Sequence, residues 1–265
     1  MIHCAAFAAE ILSPWVRNLN YSVNVVGSTN IINACINHDV EKLINFSSIA
    51  TYGAIPAPFK ESDERRPKDC YGIAKLAVEL DLREAYEHFG LRYSGVLPHN
   101  VISKYQNYYD PYRNVIAIWI RQCLQNENIT IYGDGFQQRA FSDCKYLCQP
   151  IFRLLSEFDN ESFNVGSDEE TRIIDAANIV LDLGQRKFNS KSKIVHLEPR
   201  REVEIALADH SKAKDKLAFQ DKTNLQETVE EMFYYAAKLP IQKLLLIKAC
   251  ILFGRNNHPN VPRFI

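Results

Sequence analysis

The amino-acid sequence predicts an α/β protein built on a parallel sheet with helices on both faces. Three short apolar runs have the length of buried strands, and longer stretches with helical periodicity lie between them. Strands that alternate with helices in this way are typical of parallel sheets. The predicted strands are residues 42–47, 93–97 and 162–165, and the predicted helices are residues 22–38, 71–88 and 143–156.

Length and charge limit the classes of partner. A chain of 265 residues can bury a sizeable core in one large or two small domains. Its formal net charge of −1 provides no positive field for nucleic acid or an anionic membrane. We therefore expect small molecules or further copies of the chain as partners, with no nucleic acid and no membrane.

Cysteine usage and the two ends of the chain predict a cytoplasmic location. The seven cysteines contain no C-x-x-C pair and are interpreted as reduced thiols, with no metal site. The first 15 residues lack the basic start and continuous apolar stretch of a signal peptide. Residues 241–253 are too short and too charged to span a bilayer and predict a packed or interface helix.

The chemistry is indicated by FSSIATYG at residues 46–53 and CYGIAK at residues 70–75. Tyr71 and Lys75 are four residues apart, so they share one face of a helix. A phenol has a pKa of about 10, and a neighbouring ammonium favours its ionised form. Ser48 follows a predicted strand, where functional groups gather in open parallel sheets. Ser48, Tyr71 and Lys75 are thus the candidate catalytic residues of a base-assisted hydride transfer.

The same Tyr-x-x-x-Lys spacing occurs again in YYAAK, at Tyr234 and Lys238. Such a pair arises easily by chance. Only Tyr71 follows a predicted buried strand that ends in hydroxyl side chains. We therefore expect Tyr234 to be a core residue, Lys238 to be solvated, and both to lie away from any cleft.

Further polar residues are candidate ligands of a second substrate. Arg139 follows a YGDG turn and Arg200 lies in EPRR, and a guanidinium can donate two hydrogen bonds to a diphosphate. Spacing alone favours surface salt bridges for both arginines. Asn114 begins an apolar helix, so a helix cap is its competing role. For His99, packing within a turn is favoured over acid–base work.

In their order along the chain, these segments resemble the extended short-chain dehydrogenase/reductases. The specific resemblance is to the NAD-dependent epimerase/dehydratase family, which acts on nucleotide sugars, in its UDP-glucose 4-epimerase-like branch. The matching segments are HCAA (3–6), NVVGSTNIINAC (24–35), FSSIATYG, YGIAK, LPHNV (97–101), IYGDGFQQRAF (131–141), FNVGS (163–167) and EPRREV (198–203).

The resemblance implies a Rossmann-type doubly wound parallel sheet with a smaller substrate-binding lobe, in a homodimer. Asp143 is expected to organise the turn between the lobes. The implied NAD-binding domain comprises residues 1–103 and 140–167, the substrate-binding lobe residues 104–139 and 168–240, and a C-terminal helix and tail residues 241–265.

The resemblance also implies two sets of ligand-binding residues and no metal. The residues implied for NAD are Cys4, Ala5, Ala6, Asn24, Ser47, Tyr71, Lys75 and Pro98. Those implied for a UDP-hexose are Ser48, Asn100, Asn114, Arg139 and Arg200.

The implied reaction begins when Tyr71, as a tyrosinate stabilised by Lys75, removes a proton from a sugar hydroxyl. The attached carbon passes a hydride to NAD, which leaves a keto sugar. Return of this hydride to the other face of the keto sugar inverts that carbon. The 4,6-dehydratases usually carry Asp-Glu after the hydroxyl residue, where this chain has Ile49 and Ala50. This difference favours C4 epimerisation of a UDP-hexose, with UDP-glucose and UDP-galactose as the expected pair. Another dehydratase or reductase of the family is the alternative.

The family's opening strand and glycine-rich turn are not found in the sequence. The chain has ten glycines, none of them before Gly27. We expect an N-terminally truncated sheet that lacks about 60 residues, at about 30 for each βα unit. A fragment, a misassigned start and a decayed gene product all remain open. An inactive binding or interaction protein is therefore the second functional hypothesis.

Overall fold

The structure is a computed structural model that describes residues 1–200 and 203–240. The predicted helix at 241–253 lies outside the described residues. The strands are β1 (Ile2–His3), β2 (Lys42–Phe46), β3 (Arg92–Pro98), β4 (Val101–Ile102), β5 (Ile129–Tyr132), β6 (Gln138–Ala140), β7 (Ser142–Asp143), β8 (Glu161–Val165), β9 (Glu170–Arg172), β10 (Ile194–Leu197) and β11 (Ile205–Ala206). The helices are α1 (Arg17–Tyr21), α2 (Gly27–Asn37), α3 (Cys70–Phe89), α4 (Val115–Leu124), α5 (Cys144–Leu154), α6 (Ile173–Phe188), α7 (Ser211–Leu217) and α8 (Leu225–Ala236), with a π-helical segment, Ser22–Val26, between α1 and α2.

The largest sheet of the described chain has four parallel strands in the order β1-β2-β3-β8. The three predicted strands correspond to β2, β3 and β8, with ends that differ by one residue. Because all four strands run the same way, their carboxyl ends meet at one edge. The predicted α/β fold with a parallel sheet is confirmed.

Both faces of this sheet are covered. Leu43 and Ile44 are neighbours on β2, so they point to opposite faces, and both are fully buried. Leu43 packs with α2 and α3, in a cluster that includes Val78 and Leu82. Ile44 packs on the other face in a cluster with side chains of α5 and α7. The adjacent apolar residues of β2 reflect this two-sided burial.

A separate core lies among α4, α6 and α8. Trp119 is buried at its centre, and its indole N–H donates to the Thr130 carbonyl oxygen at 2.9 Å. Strand β5 pairs with β10, and β6 lies between β11 and β9. The division of the chain into the two lobes named above stays a prediction.

Helix α3 begins in close contact with the turn after β2. The Asp69 carboxylate caps it by accepting from the Gly72 backbone N–H at 2.8 Å, and the Tyr71 N–H donates to Ser13 Oγ at 3.1 Å. A Cβ atom on Gly72 would lie 2.5 Å from the Ala50 carbonyl oxygen. A glycine is therefore required at this position, and it brings the start of α3 against the residues that follow Ser48.

Helix α8 differs from the expectation for Tyr234. This side chain is 49% exposed and meets the Phe188 ring edge-on at 5.4 Å, so its assignment to the core is wrong. The buried stripe of α8 is supplied by Val229, Met232 and Phe233. No helix within residues 1–200 and 203–240 has the length and apolarity needed to cross a membrane.

Candidate active site

Ser48 lies directly after the end of β2, in the turn that faces α3. Its backbone is extended, and its Oγ accepts from the Ala50 N–H at 3.1 Å, which caps the short 3-10 helix Ile49–Thr51. This local bond fixes the direction of the hydroxyl. Ser48 is half-buried at the carboxyl edge of the sheet.

Tyr71 and Lys75 lie on the face of α3 that packs against this edge. Lys75 is 5% exposed, and its Nζ donates to the Phe46 carbonyl oxygen at the end of β2, at 2.7 Å. The same Nζ lies 5.8 Å from the centroid of the Tyr71 ring. Tyr71 is 8% exposed. The structure thus brings the three candidate catalytic residues to one place.

The pKa of Tyr71 is shifted upwards, whereas the sequence predicted a phenol that Lys75 makes more acidic. Burial raises the pKa of Tyr71 to about 12, and the nearby carboxylates of Glu10 and Asp69 add to this rise. The Ser48 hydroxyl and the positive charge of Arg113 act in the opposite direction. In this structure the phenol is protonated at neutral pH. Its function as a base requires more positive charge in the site.

Lys75 is shifted in the direction expected for a buried ammonium. Burial lowers its pKa to about 8, and electrostatic interaction with Glu79 and Cys4 opposes this shift. Glu79 itself accepts a hydrogen bond from Ser47 Oγ. Burial raises the pKa of this carboxyl group, against the effects of Arg65, Ser47 and Lys75.

Glu79 was not identified from the sequence, although a signal was present. Tyr71, Lys75 and Glu79 are spaced by four residues and form one stripe along α3. Ser47 and Phe46, at the end of β2, contact Glu79 and Lys75 respectively. Phe46, the last residue of β2, and the following Ser47 are therefore fastened to two successive turns of the helix.

The residues implied for NAD lie mostly along the carboxyl edge of the main sheet. Cys4 and Ala5 are exposed after β1, with Ala6 half-buried beside them, and Pro98 ends β3. Asn24 is different, since it is 1% exposed. Its Oδ1 accepts from the Phe7 N–H at 2.8 Å, and its Nδ2 donates to the Phe7 carbonyl at 3.1 Å. Asn24 therefore holds the loop after β1.

The two asparagines implied for the sugar nucleotide are exposed and have left-handed backbones. Asn100 has φ of 38° and Asn114 has φ of 62°. Asn114 occupies the N-cap position of α4, but its side chain makes no capping hydrogen bond. The competing role of a side-chain cap is therefore not observed.

Arg139 and Arg200, the two arginines implied for a UDP-hexose, contact backbone carbonyls and an aromatic ring respectively. The Arg139 guanidinium donates to the backbone carbonyls of Val203 at 2.8 Å and Glu204 at 3.1 Å. The guanidinium carbon of Arg200 lies 3.0 Å from the centroid of the Tyr132 ring. Arg139 thus anchors the chain next to β11, and Arg200 stacks on the last residue of β5.

The loop before α4 adds charged residues that sequence reasoning missed. Arg113 Nε donates to the Asp110 carboxylate at 2.6 Å, and Tyr112 packs against a buried cluster that contains Leu12 and Val16. This cluster adjoins Ser13, which binds the Tyr71 backbone. No short motif marks the contact between Tyr112 and Leu12, because the loops that carry these residues are far apart in the sequence.

Asp143 links the start of α5 to α8, and its expected role between the lobes stays a prediction. Its carboxylate accepts from the Lys145 N–H at 3.1 Å at the start of α5, and from Thr228 Oγ1 of α8 at 3.3 Å. Within the described ranges, no group of three or more His, Cys, Asp or Glu side chains is placed to hold a metal ion.

Comparison with known proteins identifies the family. A profile of the NAD dependent epimerase/dehydratase family matches residues 1–166. The chain belongs to this family. The predicted family, enzyme class and NAD dependence are thereby confirmed, and the family acts on nucleotide sugars.

Members of the family with several activities are similar to the chain. UDP-glucose 4-epimerase of Halalkalibacterium halodurans is 27% identical over 236 residues, which are 80% of this chain and 67% of that protein. Mouse dTDP-D-glucose 4,6-dehydratase is 27% identical over 199 residues, or 73% and 54% of the two chains.

Two solved epimerases have similar folds. The crystal structure of Thermotoga maritima UDP-glucose 4-epimerase with UDP-glucose has a TM-score of 0.81 and 27% identity, covering 89% of this chain and 76% of that one. UDP-N-acetylglucosamine 4-epimerase of Methanobrevibacter ruminantium, in complex with UDP-N-acetylmuramic acid, has a TM-score of 0.80 and 29% identity, with 89% and 75% coverage.

The residues at the carboxyl edge fit the nicotinamide end of NAD. An ammonium has three N–H donors, and the Phe46 carbonyl accepts one donor of Lys75. Lys75 is thus fixed in direction while it lies beside Tyr71. An ammonium held in this way can donate hydrogen bonds to the hydroxyls of a ribose.

Proposed function

We propose that the chain is a nucleotide-sugar epimerase that inverts C4 of a UDP-hexose through a transient 4-keto sugar. The observation that carries this proposal is the convergence of Ser48, Tyr71 and Lys75 at the carboxyl edge of the parallel sheet. Similarity to two 4-epimerases supports it. UDP-glucose and UDP-galactose are the proposed pair.

In this proposal each residue has a defined task. NAD, when bound, supplies a reversible hydride acceptor. Tyr71 takes the proton of the sugar 4-hydroxyl at its phenolic oxygen and later returns it. Ser48 donates a hydrogen bond to the same sugar oxygen, and Lys75 holds the nicotinamide ribose and supplies positive charge near the phenol. Cys4, Ala5, Ala6, Asn24, Ser47 and Pro98 form or support the rest of the proposed cofactor site.

We assign the diphosphate and sugar to the remaining predicted residues. Arg139 and Arg200 are proposed to bind the diphosphate, whose oxygens would replace part of their present contacts. Asn100 and Asn114 expose their amides and are proposed to donate to the sugar or its phosphates. Their left-handed backbones set the direction of these side chains.

The residues after Ser48 favour epimerisation over dehydration. Ile49 is 8% exposed and packs in an apolar cluster with Tyr52, Phe59 and Leu97. No carboxylate stands at Ile49 or Ala50 to act as a second acid or base on the sugar. The similarity to a 4,6-dehydratase therefore carries less weight than the chemistry of this turn.

The decisive experiment incubates the purified chain with NAD and UDP-galactose. Proton NMR should show UDP-glucose forming, and a Tyr71→Phe variant should show none. A 4-keto-6-deoxy product would overturn the assignment in favour of a dehydratase. Conversion of UDP-N-acetylglucosamine alone would correct the sugar and keep the reaction.

A second candidate function is an inactive family member that acts as a binding or interaction protein. Burial favours it, because it raises the pKa of Tyr71 to about 12 and so disfavours the ionised phenol that a base-assisted hydride transfer needs. The assay with NAD and UDP-galactose tests this, and turnover of UDP-galactose by the wild type would contradict it.

We also propose a cytoplasmic homodimer. Two packed helical segments expose apolar side chains, including Val26, Ile73 and Leu80. Exposed apolar surface on a regular face is typical of subunit contacts. Six cysteines of the described ranges are free, which suits a reducing compartment. Light scattering of the wild type and of Leu80→Lys tests the dimer.

A further inference from the structure

A hydrogen-bonded chain of side chains joins the turn after β3 to the small sheet that carries Arg139. Nδ1 of His99 lies 3.1 Å from the Ala140 carbonyl oxygen. Nε2 of His99 lies 3.0 Å from Nε2 of His210, and Nδ1 of His210 lies 2.8 Å from Asp168 Oδ1. The partners are 41, 111 and 42 residues apart along the chain, so the contacts are made by the tertiary fold alone.

Both imidazole rings are enclosed by the protein. His99 is 4% exposed and His210 is 1% exposed. The ring planes are within 16° of each other, and the Phe219 ring meets His210 edge-on at 6.3 Å. A Cβ atom on Gly166 would lie 2.2 Å from Nε2 of His99, so the pair is packed against a glycine. Each ring nitrogen must therefore find its partner inside the protein.

The partners determine where the protons are. A carbonyl oxygen only accepts, so Nδ1 of His99 carries a proton and donates it to Ala140. Asp168 is ionised, because its other oxygen lies 2.5 Å from the Lys214 ammonium. An ionised carboxylate also only accepts, so Nδ1 of His210 is protonated as well.

This assignment leaves the contact between the rings without a donor. A neutral imidazole that is protonated at Nδ1 presents a lone pair at Nε2. Two neutral rings would therefore face each other lone pair to lone pair, 3.0 Å apart. One additional proton converts this repulsive contact into a charge-assisted hydrogen bond.

We propose that His99 and His210 share one proton between their Nε2 atoms, and that this singly charged pair positions Arg139 for binding the nucleoside diphosphate. The charge is assigned to His210, whose other nitrogen donates to Asp168. His99 is the neutral partner, because burial and the charge of His210 lower its pKa to about 3.

The positions of the three side chains explain how the pair acts on Arg139. Ala140 ends β6 and directly follows Arg139. Asp168 lies shortly before β9, and His210 ends the segment that joins β11 to α7; β9 and β11 flank β6. His99 is the residue before Asn100. The pair therefore fastens one end of the small sheet to the turn that bears a second proposed substrate ligand.

Among the residues that the structure describes, the charged groups around the pair belong to three segments. Asp168 and Lys214 face it from the segment after β8 and from α7, and Asp209 precedes His210 and accepts from the Ser211 N–H at 2.8 Å. Lys60 acts on Asp209 from the loop before α3. Removal of the shared proton would restore the facing lone pairs, so the rings would separate. We expect the affinity for a nucleoside diphosphate to fall as the pH rises through the pKa of the pair.

The test combines two measurements on the full chain. Nitrogen-15 NMR of histidine-labelled protein reads the protonation of the Nε2 atoms, and calorimetry with UDP reads affinity over the same pH range. The Asp168→Asn variant removes the charge opposite His210, and should move both titrations to lower pH. The side chain of Asp168 is 55% exposed, so the variant should fold. Asp182→Asn, which breaks a surface pair with Arg186, is the matched control and should change neither.

Each outcome decides part of the proposal. Two neutral imidazoles throughout the folded pH range would overturn the shared proton, as would an unchanged titration in Asp168→Asn. A titration of the pair that leaves UDP affinity constant would overturn the positioning role. The role of Arg139 rests on the proposed function, so a complete lack of UDP binding would overturn that function and the positioning role with it. NMR would still decide the shared proton.

Discussion

The chain carries the sequence Tyr-x-x-x-Lys twice, and the two copies have different surroundings. Tyr71 and Lys75 are both within α3, buried, and held against the end of β2. Tyr234 is half-exposed near the end of α8, and Lys238 lies beyond the last helical residue, Ala236. Only the first pair therefore has a low-dielectric setting in which charges act strongly on each other. The comparison teaches that a Tyr-x-x-x-Lys pair forms a candidate site when it is buried next to the end of a strand.

The largest expected effect is that of removing the phenolic oxygen of Tyr71. The same change at Tyr234 is the comparison. Tyr71→Phe should lower kcat by about 10²- to 10⁴-fold, because a positioned acid–base group contributes about that much. Tyr234→Phe should leave activity within about twofold. Both rates are measured with the same coupled epimerase assay. Equal losses in the two variants would break the distinction.

Replacing each lysine sharpens the comparison through stability as well as activity. Lys75→Met should abolish most activity, and Lys238→Met should not. The folded pKa of Lys75, about 8, lies below its ordinary value near 10.5. Between these values the unfolded state binds more protons, so the free energy of unfolding should rise with pH, by at most about 3 kcal/mol.

This rise should vanish in Lys75→Met and persist in Lys238→Met. Urea unfolding at pH 7.5, 8.5 and 9.5 measures it. A slope against pH that is the same in both variants would show that Lys75 is not shifted.

Removal of the Ser48 hydroxyl should have an intermediate effect. Ser48→Ala loses one hydrogen bond to the sugar oxygen and the cap on the Ala50 N–H. We expect kcat to fall about tenfold to hundredfold, since a bond to a developing charge is worth about 1.5 to 3 kcal/mol. Thr51→Ala, a hydroxyl in the same turn that donates to the Ser48 carbonyl, is the control. If kcat fell by as much in Thr51→Ala, the loss of activity in Ser48→Ala would be due to a change in the structure of the turn.

The smallest expected effect concerns Glu79. Glu79→Gln keeps the size of the side chain and removes the charge that raises the pKa of Lys75. If the ammonium is the active form, activity is lost as the pH rises through about 8. In the variant this alkaline limb should move to lower pH, with a change of only a few-fold at neutral pH. Glu84→Gln, on the exposed face of α3, should leave the pH profile in place.

The expectations that the structure confirmed depend on short stretches of sequence. Strand β2 could be predicted because Leu43, Ile44 and Phe46 form a short apolar run and Lys42 has a long aliphatic stem. Helix α3 could be predicted because an Asp cap, a repeating apolar face and Gly90 define it locally. Ser48, Tyr71 and Lys75 could be placed together because the strand end and the helix start are separated by one loop, and their catalytic roles stay a prediction.

By itself, then, the sequence determined the alternation of strands and helices around β2, β3 and β8, and it placed the ends of these strands to within one residue. Backbone propensity, apolar periodicity and i,i+4 geometry act over a few residues, so these features can be read from the chain. Only the tertiary structure decided that the pKa of Tyr71 rises, that Tyr234 is exposed, and that His99 meets His210. Burial and electrostatic interaction depend on which distant segments pack together, and no local pattern encodes those distances.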